Sequence, residues 1–425
     1  MTGPAKQIGL LWDESHFWGV MLERALHALG FRPRILHTGE IAHSGLQQEP
    51  LTVLLVPGGW ASRKAKALGS RGRTAIQEYV ENGGVYFGLC GGAGLALDCG
   101  SEGNGLALCP WVRKPMQARL PNCSGHLRLR LNERSGACPE GTSRIAAPVW
   151  WPSQFEPDHF SEHTVLAWYE SPERDFWVAD LPAGHLDQEL LLGWEEVYGI
   201  NLDPELLRGE PAVIASSLGR GAYLLSYVHL ESPGSQAANA WFCRLLSSYG
   251  LGSPGTHQGA AVPEWDLRNA EAAWEDPVLE DGLQALLEVV CRGEENFLLC
   301  WRKPWLLGWR RGIPGFALNT LLALLTEARE LGPAPKAESY WRERRESFAA
   351  GIQRFKSLFV DYMLRERLVL AKSVSSPEQS GSAELQRLKE RITGPFPGQG
   401  GIFRELVQTL EELLRLQLRS REDIL

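Results

Sequence analysis

The sequence has no Cys-x-x-Cys pair, although it contains eight cysteines in 425 residues. Such pairs are the usual mark of zinc sites and thioredoxin-like redox motifs, so neither is expected. Cys99, Cys109, Cys123 and Cys138 are broadly spaced and give no reason to infer a disulfide framework. We predict no metal centre and expect most cysteines to be small packed or surface residues.

The sequence also lacks a membrane-spanning run and a secretory leader. The apolar segment from Ile313 to Thr326 is shorter than the roughly 20 residues that span a bilayer, and we predict a buried helix there. Met1 to Lys6 leads directly into a strand-like segment without the apolar core of a signal peptide. These patterns predict a cytoplasmic protein that does not contact a membrane.

A positive charge excess and a Walker-type phosphate loop are missing as well. The formal net charge of −8 argues against general nucleic-acid binding. Trp301, Trp305 and Trp309 lie among basic residues and could stack bases or meet a membrane surface, but Pro304 interrupts the pattern. Packing in a core or domain interface is favoured, and no cofactor is implied.

One group of metal-ligand residues needs separate consideration. Asp158, His159 and His163 have a spacing that could place ligands on one helix face. The neighbouring Pro157 and the polar context favour a surface loop instead. We therefore keep the prediction that there is no metal site.

The most informative feature present is a cysteine in a glycine-rich turn. Val85 to Leu89 predicts a strand, and Cys90 follows it with Gly91 and Gly92 at the start of a predicted helix. A side chain on such a strand-to-helix turn projects outward from a strained backbone, and the helix N-terminus favours a thiolate. Cys90 is thus a candidate nucleophile, with a small buried cysteine as the alternative.

A second glycine pair ends another predicted strand. Leu51 to Val56 is continuously apolar, as in a buried parallel strand, and Gly58 and Gly59 follow Pro57. The backbone N–H groups of Gly59 and Gly91 could form a two-donor oxyanion hole. An ordinary strand-ending turn is the alternative.

The third feature is a histidine with a carboxylate two residues later. The segment from Gly221 to Ser232 predicts a strand that ends in His229-Leu230-Glu231. Residues two apart on a strand share a face, so Glu231 could orient the His229 imidazole. A cysteine nucleophile needs such a base and orienting group, which favours a Cys-His-Glu triad over a structural histidine.

The element pattern predicts an α/β domain followed by a helical one. Alternating strands and helices indicate a parallel sheet, residues 125–232 are β-rich, and segments 211–218 and 221–228 form a predicted hairpin. Run 69–73 is interpreted as a solvated basic loop before a helix at 73–82. The predicted domains are 1–250, a linker at 251–264, and an α-helical domain at 265–425.

Across about residues 6 to 250 the chain resembles the class I glutamine amidotransferase-like superfamily, in the branch named for the N-terminal domain of biotin–protein ligases. The resemblance rests on Pro57-Gly58-Gly59, Gly88 to Ala93 and His229-Leu230-Glu231. It implies a flavodoxin-like parallel sheet with a nucleophile elbow and a β-rich insertion. It also implies Cys90 as nucleophile, His229 as general base and Glu231 as its orienter.

Two departures from the family pattern affect the expected substrate. Glutamine-hydrolysing members usually carry Gln four residues after the nucleophile, where this chain has Gly94. The family's His-Pro-Glu is His-Leu-Glu here. The triad is therefore better supported than glutamine as substrate.

Two functions remain open from the sequence. The first is a cysteine-dependent amidase or amidotransferase-like hydrolase that cleaves an amide or acyl bond of a small molecule. The second is a non-catalytic ligand-binding or scaffolding protein whose helical tail contacts a protein partner. In either case the predicted pocket residues are Gly58, Trp60, Gly92 and Trp151.

Overall fold

A computed structural model describes most of the chain. It covers residues 7–46, 51–98, 105–139, 141–157, 163–251, 261–310, 313–375, 382–395, 398 and 400–422. Contacts within the chain divide it into two compact units, Met1–Pro263 and Glu264–Leu425. The predicted domain boundaries stay a prediction, and most of the predicted linker lies outside the described residues.

Strands and helices alternate at the start of the first unit, and strands dominate its second half. The strands are β1 (Gln7–Leu11), β2 (Pro33–Leu36), β3 (Leu51–Val56), β4 (Val85–Leu89), β5 (Val112–Arg113), β6 (Ser124–Leu131), β7 (Arg144–Trp150), β8 (Phe155–Glu156), β9 (Thr164–Pro172), β10 (Pro211–Leu218) and β11 (Gly221–Ser226). The helices are α1 (His16–Ala28), α2 (Thr38–Ser44), α3 (Ala61–Glu81), α4 (Gly91–Ala96), α5 (Gln188–Tyr198) and α6 (Gln236–Ser248).

Nine of these strands form one mixed sheet in the order β2-β1-β3-β4-β11-β10-β9-β6-β7. The pairings from β2 to β11 are parallel, and those from β11 to β7 are antiparallel. Strand β3 is apolar and mostly buried, as a parallel strand covered on both faces requires. In contrast, β6 alternates buried and exposed residues, as a half-solvated antiparallel strand does. The predicted α/β class with a β-rich insertion is confirmed.

Strand β11 determines where the functional loops meet. It is the last strand of the parallel half, and it pairs with β4 so that Ser226 lies opposite Leu89. Because parallel strands end at the same edge of a sheet, the loops after β4 and β11 leave side by side. Cys90 follows the first strand and His229 the second.

The prediction of a basic loop at 69–73 is wrong, and so is the prediction that the next helix starts at residue 73. Helix α3 runs through this region with a single kink at Gly69, whose φ is 61°. Leu68, Gly72 and Ile76 are buried at helical spacing on the inner face, so packing continues across the kink. The predicted helix after Cys90 is confirmed, and it is short, ending at Ala96.

The second unit is mostly helical but also contains a β-hairpin that was not predicted. Its elements are α7 (Pro277–Glu295), β12 (Leu299–Lys303), β13 (Leu306–Trp309), α8 (Gly315–Leu331), α9 (Pro335–Ser375), α10 (Ser382–Thr393) and α11 (Gly401–Glu422). Trp305 at the hairpin turn is buried, as expected for a packing residue. The predicted buried helix after Ile313 is confirmed by α8. None of the helices in the described ranges is long and apolar enough to cross a bilayer.

Gly92→Ala should lower the stability of the first unit by at least about 2 kcal/mol, since overpacking against a fixed backbone cannot relax. An added Cβ would lie 2.0 Å from the Val56 carbonyl oxygen. Gly193→Ala is the matched control within a helix, because nothing lies within 4 Å of its added Cβ. It should be neutral or stabilising by up to about 1 kcal/mol. Urea unfolding measures both, and equal midpoints would contradict the proposed close packing.

Candidate active site

Cys90 occupies a strained turn between β4 and α4. Its φ is 49° and its ψ is −104°, a conformation that non-glycine residues rarely adopt. Its N–H donates to the Ser226 carbonyl at 2.7 Å, and its carbonyl accepts from the Gly94 N–H at 3.0 Å. These bonds fix the turn at both ends and leave the side chain partly exposed. The geometry is that of a nucleophile elbow.

The glycines around Cys90 allow three backbone segments to touch. A Cβ on Gly91 would lie 1.9 Å from the Gly59 carbonyl oxygen and 3.0 Å from the Gly59 nitrogen. A Cβ on Gly88 would lie 2.6 Å from the Gly92 carbonyl. The two loops predicted to supply an oxyanion hole are therefore adjacent. In the described part of the chain, the N–H of Gly59 donates no hydrogen bond.

His229 and Glu231 form a fully buried pair. His229 Nδ1 lies 2.8 Å from Glu231 Oε1, and both side chains have 0% exposure. The prediction that they follow each other along a strand is wrong, because β11 ends at Ser226 and the two residues lie in the turn beyond it. The Ser226 hydroxyl donates to the Val228 carbonyl at 2.7 Å, which helps to bend the chain there. The turn still directs both side chains toward one another.

Neighbouring elements hold this turn in place. The His229 N–H donates to the Pro148 carbonyl of β7 at 2.8 Å. Asn239 of α6 donates to the carbonyls of Leu230 at 2.8 Å and Ser232 at 3.0 Å. Both contacts are buried, so breaking either would leave an unsatisfied polar group. These hydrogen bonds hold the His229–Glu231 turn against β7 and α6.

The charge of His229 is set by its neighbours. Burial lowers the pKa of His229, but the Glu231 carboxylate and the Cys90 side chain together raise it well above the ordinary histidine value. Nε2 is buried and has no hydrogen-bond partner of standard geometry among the described residues. Glu231 engages Nδ1, so Nε2 is the ring nitrogen that remains available.

Trp18 is a site residue that the sequence did not reveal. Its ring lies over His229, with centroids 4.4 Å apart and the planes at 31°. A Cβ on Gly58 would lie 2.7 Å from Trp18 Cγ, so the tryptophan also packs on the predicted pocket glycine. Helical periodicity places Trp18 in α1 but carries no signal that the helix faces the nucleophile.

The chain between β1 and the start of α1 has a strained backbone, and it packs closely against Gly59 and Lys64. Glu14 and His16 have φ values of 54° and 50°. The Glu14 carbonyl would lie 2.5 Å from a Cβ on Gly59. The buried Lys64 ammonium donates to Ser15 Oγ at 2.5 Å. Strained backbone conformations cluster at functional sites, which is consistent with a site here.

The remaining predicted pocket residues lie on two other segments. Trp60 directly follows Gly59 and caps the start of α3. Trp151 has a φ of 53°, and its N–H donates to the Cys123 carbonyl at 2.9 Å. Both side chains are partly exposed. Their role in substrate binding stays a prediction.

No metal centre is assembled by the residues that the structure describes. None of them form a group of three or more potential ligands. Asp158 and His159 lie outside the described residues. His163 has Nε2 2.5 Å from the Tyr223 hydroxyl and 3.6 Å from Cys109 Sγ. The cysteines within the described ranges are free thiols.

Comparison with known families identifies part of the first unit. Residues 38–98 match the family described as biotin-protein ligase, N terminal. The predicted family resemblance is confirmed. The matched segment includes Gly59 and Cys90 and ends before His229. No curated protein matches the chain in sequence.

Two solved structures from Thermotoga maritima are similar to this chain at low sequence identity. PurLQS from Thermotoga maritima is 13% identical, with a TM-score of 0.39 over 57% of this chain and 98% of that chain. A glutamine amidotransferase from the same organism is also 13% identical, with a TM-score of 0.33 over 58% of this chain and 82% of that chain.

Glu231→Gln should lower the pKa of His229, because burial then acts without the opposing carboxylate. In the wild type the imidazolium contributes stability that is complete below the unfolded-state value of about 6.5. That contribution is lost as pH rises through the raised folded-state value. NMR titration of labelled histidine measures the shift. Asp175→Asn, beside His126 at 2.8 Å, is the control and should leave His229 unchanged. An unaltered His229 titration in Glu231→Gln would refute the pairing.

Proposed function

We propose that the first unit is a cysteine-dependent amidase or amidotransferase-like hydrolase that acts on an amide or acyl bond of a small molecule. The observation that carries the proposal is a buried His229–Glu231 pair beside a cysteine held in a strained elbow. A purely structural cysteine would not require a strained backbone. It would also not require a neighbouring histidine whose pKa is raised by a buried carboxylate. Cys90 is then the nucleophile, His229 the acid and base, and Glu231 the positioning residue.

In the first half of the reaction, the Cys90 thiolate attacks the acyl carbon while its former proton resides on His229. The N–H groups of Gly59 and Gly91 stabilise the oxyanion that forms. Collapse of the tetrahedral intermediate breaks the C–N bond. The leaving amine or ammonia takes the proton from His229, and a thioester remains on Cys90.

In the second half, water attacks the thioester. His229 accepts a proton from the water, and the C–S bond breaks. The thiolate regains its place beside the imidazolium, and the acyl group leaves as a carboxylic acid. Glu231 holds the imidazole in the required orientation throughout, as the third member of a triad does.

Glutamine is not specified by this arrangement, since Gly94 replaces the family's usual glutamine. A ligand-binding or scaffolding role is the second candidate, and the Gly94 substitution favours it.

A protein partner for the helical unit stays a prediction. On α9, Leu364 and Leu368 are exposed one turn apart and offer an apolar contact for such a partner.

Iodoacetamide should alkylate Cys90 selectively at pH 6 to 7, because the neighbouring His229 can take up the proton of the attacking thiol. His229→Ala should lower this rate by about tenfold or more. Cys123 is an internal control: burial raises the pKa of its thiol to about 12, so it should not react. His126→Ala is the matched histidine control, because His126 also pairs with a carboxylate. Mass-spectrometric mapping across pH gives each rate.

A measurement of amide hydrolysis distinguishes the enzyme from the ligand-binding or scaffolding protein. Reactive Cys90 with hydrolysis of a screened amide, lost in Cys90→Ser, supports the enzyme. Reactive Cys90 without turnover of any amide favours the binding role. Cys90 alkylated no faster than the exposed Cys291, with no effect of His229→Ala, would rule out the proposed nucleophile.

A further inference from the structure

An arginine lies at the position where this chain lacks the family's glutamine. A Cβ on Gly94 would lie 2.9 Å from Arg113 Nη2 and 3.8 Å from Arg113 Cζ. Gly94 follows Cys90 by one helical turn, and its N–H donates to the Cys90 carbonyl. The guanidinium of Arg113 therefore lies against the elbow helix, in space that a longer side chain at position 94 would occupy.

A short β-ribbon brings Arg113 to this place. Strands β5 and β8 pair so that Arg113 lies opposite Phe155. The Phe155 ring contacts Tyr227, with centroids 4.4 Å apart. Tyr227 is one residue beyond β11 and interacts electrostatically with both Cys90 and Arg113. The ribbon thus connects the guanidinium to the wall of the same site.

A second arginine is part of the same group. Arg119 Nη1 donates to Ser153 Oγ at 2.6 Å, whereas its Nε is buried without a hydrogen-bond partner. Burial and the nearby positive charge of Arg113 lower the pKa of Arg119. Among the described residues, neither arginine forms an ion pair with a carboxylate. The exposed Arg113 and the half-buried Arg119 therefore form a pair of neighbouring cations, and Arg113 lies against the elbow helix.

Buried polar atoms without partners occur in the same region. Gln154 is 3% exposed, and neither its amide oxygen nor its amide nitrogen has a hydrogen-bond partner in the described chain. It lies between Ser153, which binds Arg119, and Phe155, which pairs with Arg113. Buried polar groups are normally satisfied, so the unpaired amide of Gln154, in the segment that contacts both arginines, is available to a ligand.

We propose that Arg113 and Arg119 form an anion subsite that binds a carboxylate of the acyl substrate. This inference rests on the proposed function and specifies its substrate class: a small amide that carries a negatively charged carboxylate, such as the monoamide of a dicarboxylic acid. Guanidinium groups bind carboxylates through parallel N–H donors, and a bound anion would relieve the repulsion between the two arginines.

The test uses two alkylating reagents that differ in charge. Iodoacetate carries a carboxylate and iodoacetamide is neutral, so the ratio of their rates at Cys90 measures anion preference next to the sulfur. The ratio for a neutral free thiol, 2-mercaptoethanol, in the same buffer provides the baseline, because the Cys291 sulfur lies 3.8 Å from the Glu295 carboxylate. We expect the Cys90 ratio to exceed this baseline by about tenfold and to decrease at high salt.

Arginine substitutions locate the source of the preference. Arg113→Gln and Arg119→Gln should each reduce the Cys90 ratio toward the baseline, and Arg113→Lys should retain part of it because it keeps the charge. Arg130→Gln is the matched control. Arg130 is exposed, stacks on Trp168 at 4.2 Å and lies on β6, four strands from β4. It should leave the ratio unchanged. Circular dichroism confirms that each variant is folded.

The outcomes separate this inference from the proposed function. Fast iodoacetamide labelling of Cys90 with no preference for iodoacetate would overturn the anion subsite and leave the nucleophile intact. A preference that persists in both glutamine variants would assign it to the His229 imidazolium, which also overturns the subsite. Slow labelling by both reagents would overturn the proposed function and this inference with it.

Discussion

The hydrogen bond between His229 and Glu231 is the interaction on which the site depends. Both groups are removed from water, which costs free energy unless each is held by a good partner. The 2.8 Å contact supplies that partner, and Asn239 and the Pro148 carbonyl hold the turn that makes it possible. Because the carboxylate occupies Nδ1, Nε2 is the ring nitrogen that the proposed mechanism uses. The orientation and charge of the His229 imidazole thus depend mainly on one buried pair.

Backbone proximity is the second constraint. The loops after β3 and β4 touch through Gly59 and Gly91, and α4 packs on the end of β3 through Gly92. Any side chain at these positions would separate the loops. Trp18 and the strained residues Glu14 and His16 complete the surrounding wall from a third loop. The candidate site is therefore made by loops from neighbouring strands of one rigid sheet.

Local sequence patterns were sufficient to predict the α/β class, the elbow at Cys90 and the pairing of His229 with Glu231. They carry this information because glycine, apolar runs and short spacings act within a few residues. Trp18, Arg113 and Arg119 were missed because their importance depends on which strands become neighbours. The hairpin of β12 and β13 was missed for a similar reason. The buried N–H of Leu307 in β13 donates to the Asn319 side chain of α8, a contact that the local sequence pattern does not encode. The geometry of the turn after Ser226 also follows from tertiary contacts that periodicity does not encode.

The strand order also has a consequence for protein synthesis. Strands β4 and β11 are neighbours in the sheet, but the whole antiparallel insertion lies between them in sequence. Closing such a long loop costs chain entropy before the two strands can pair. A nascent chain therefore contains Cys90 before His229 has been made. The thiol acquires its partner only when β11 docks, so an incomplete chain carries no assembled Cys-His pair.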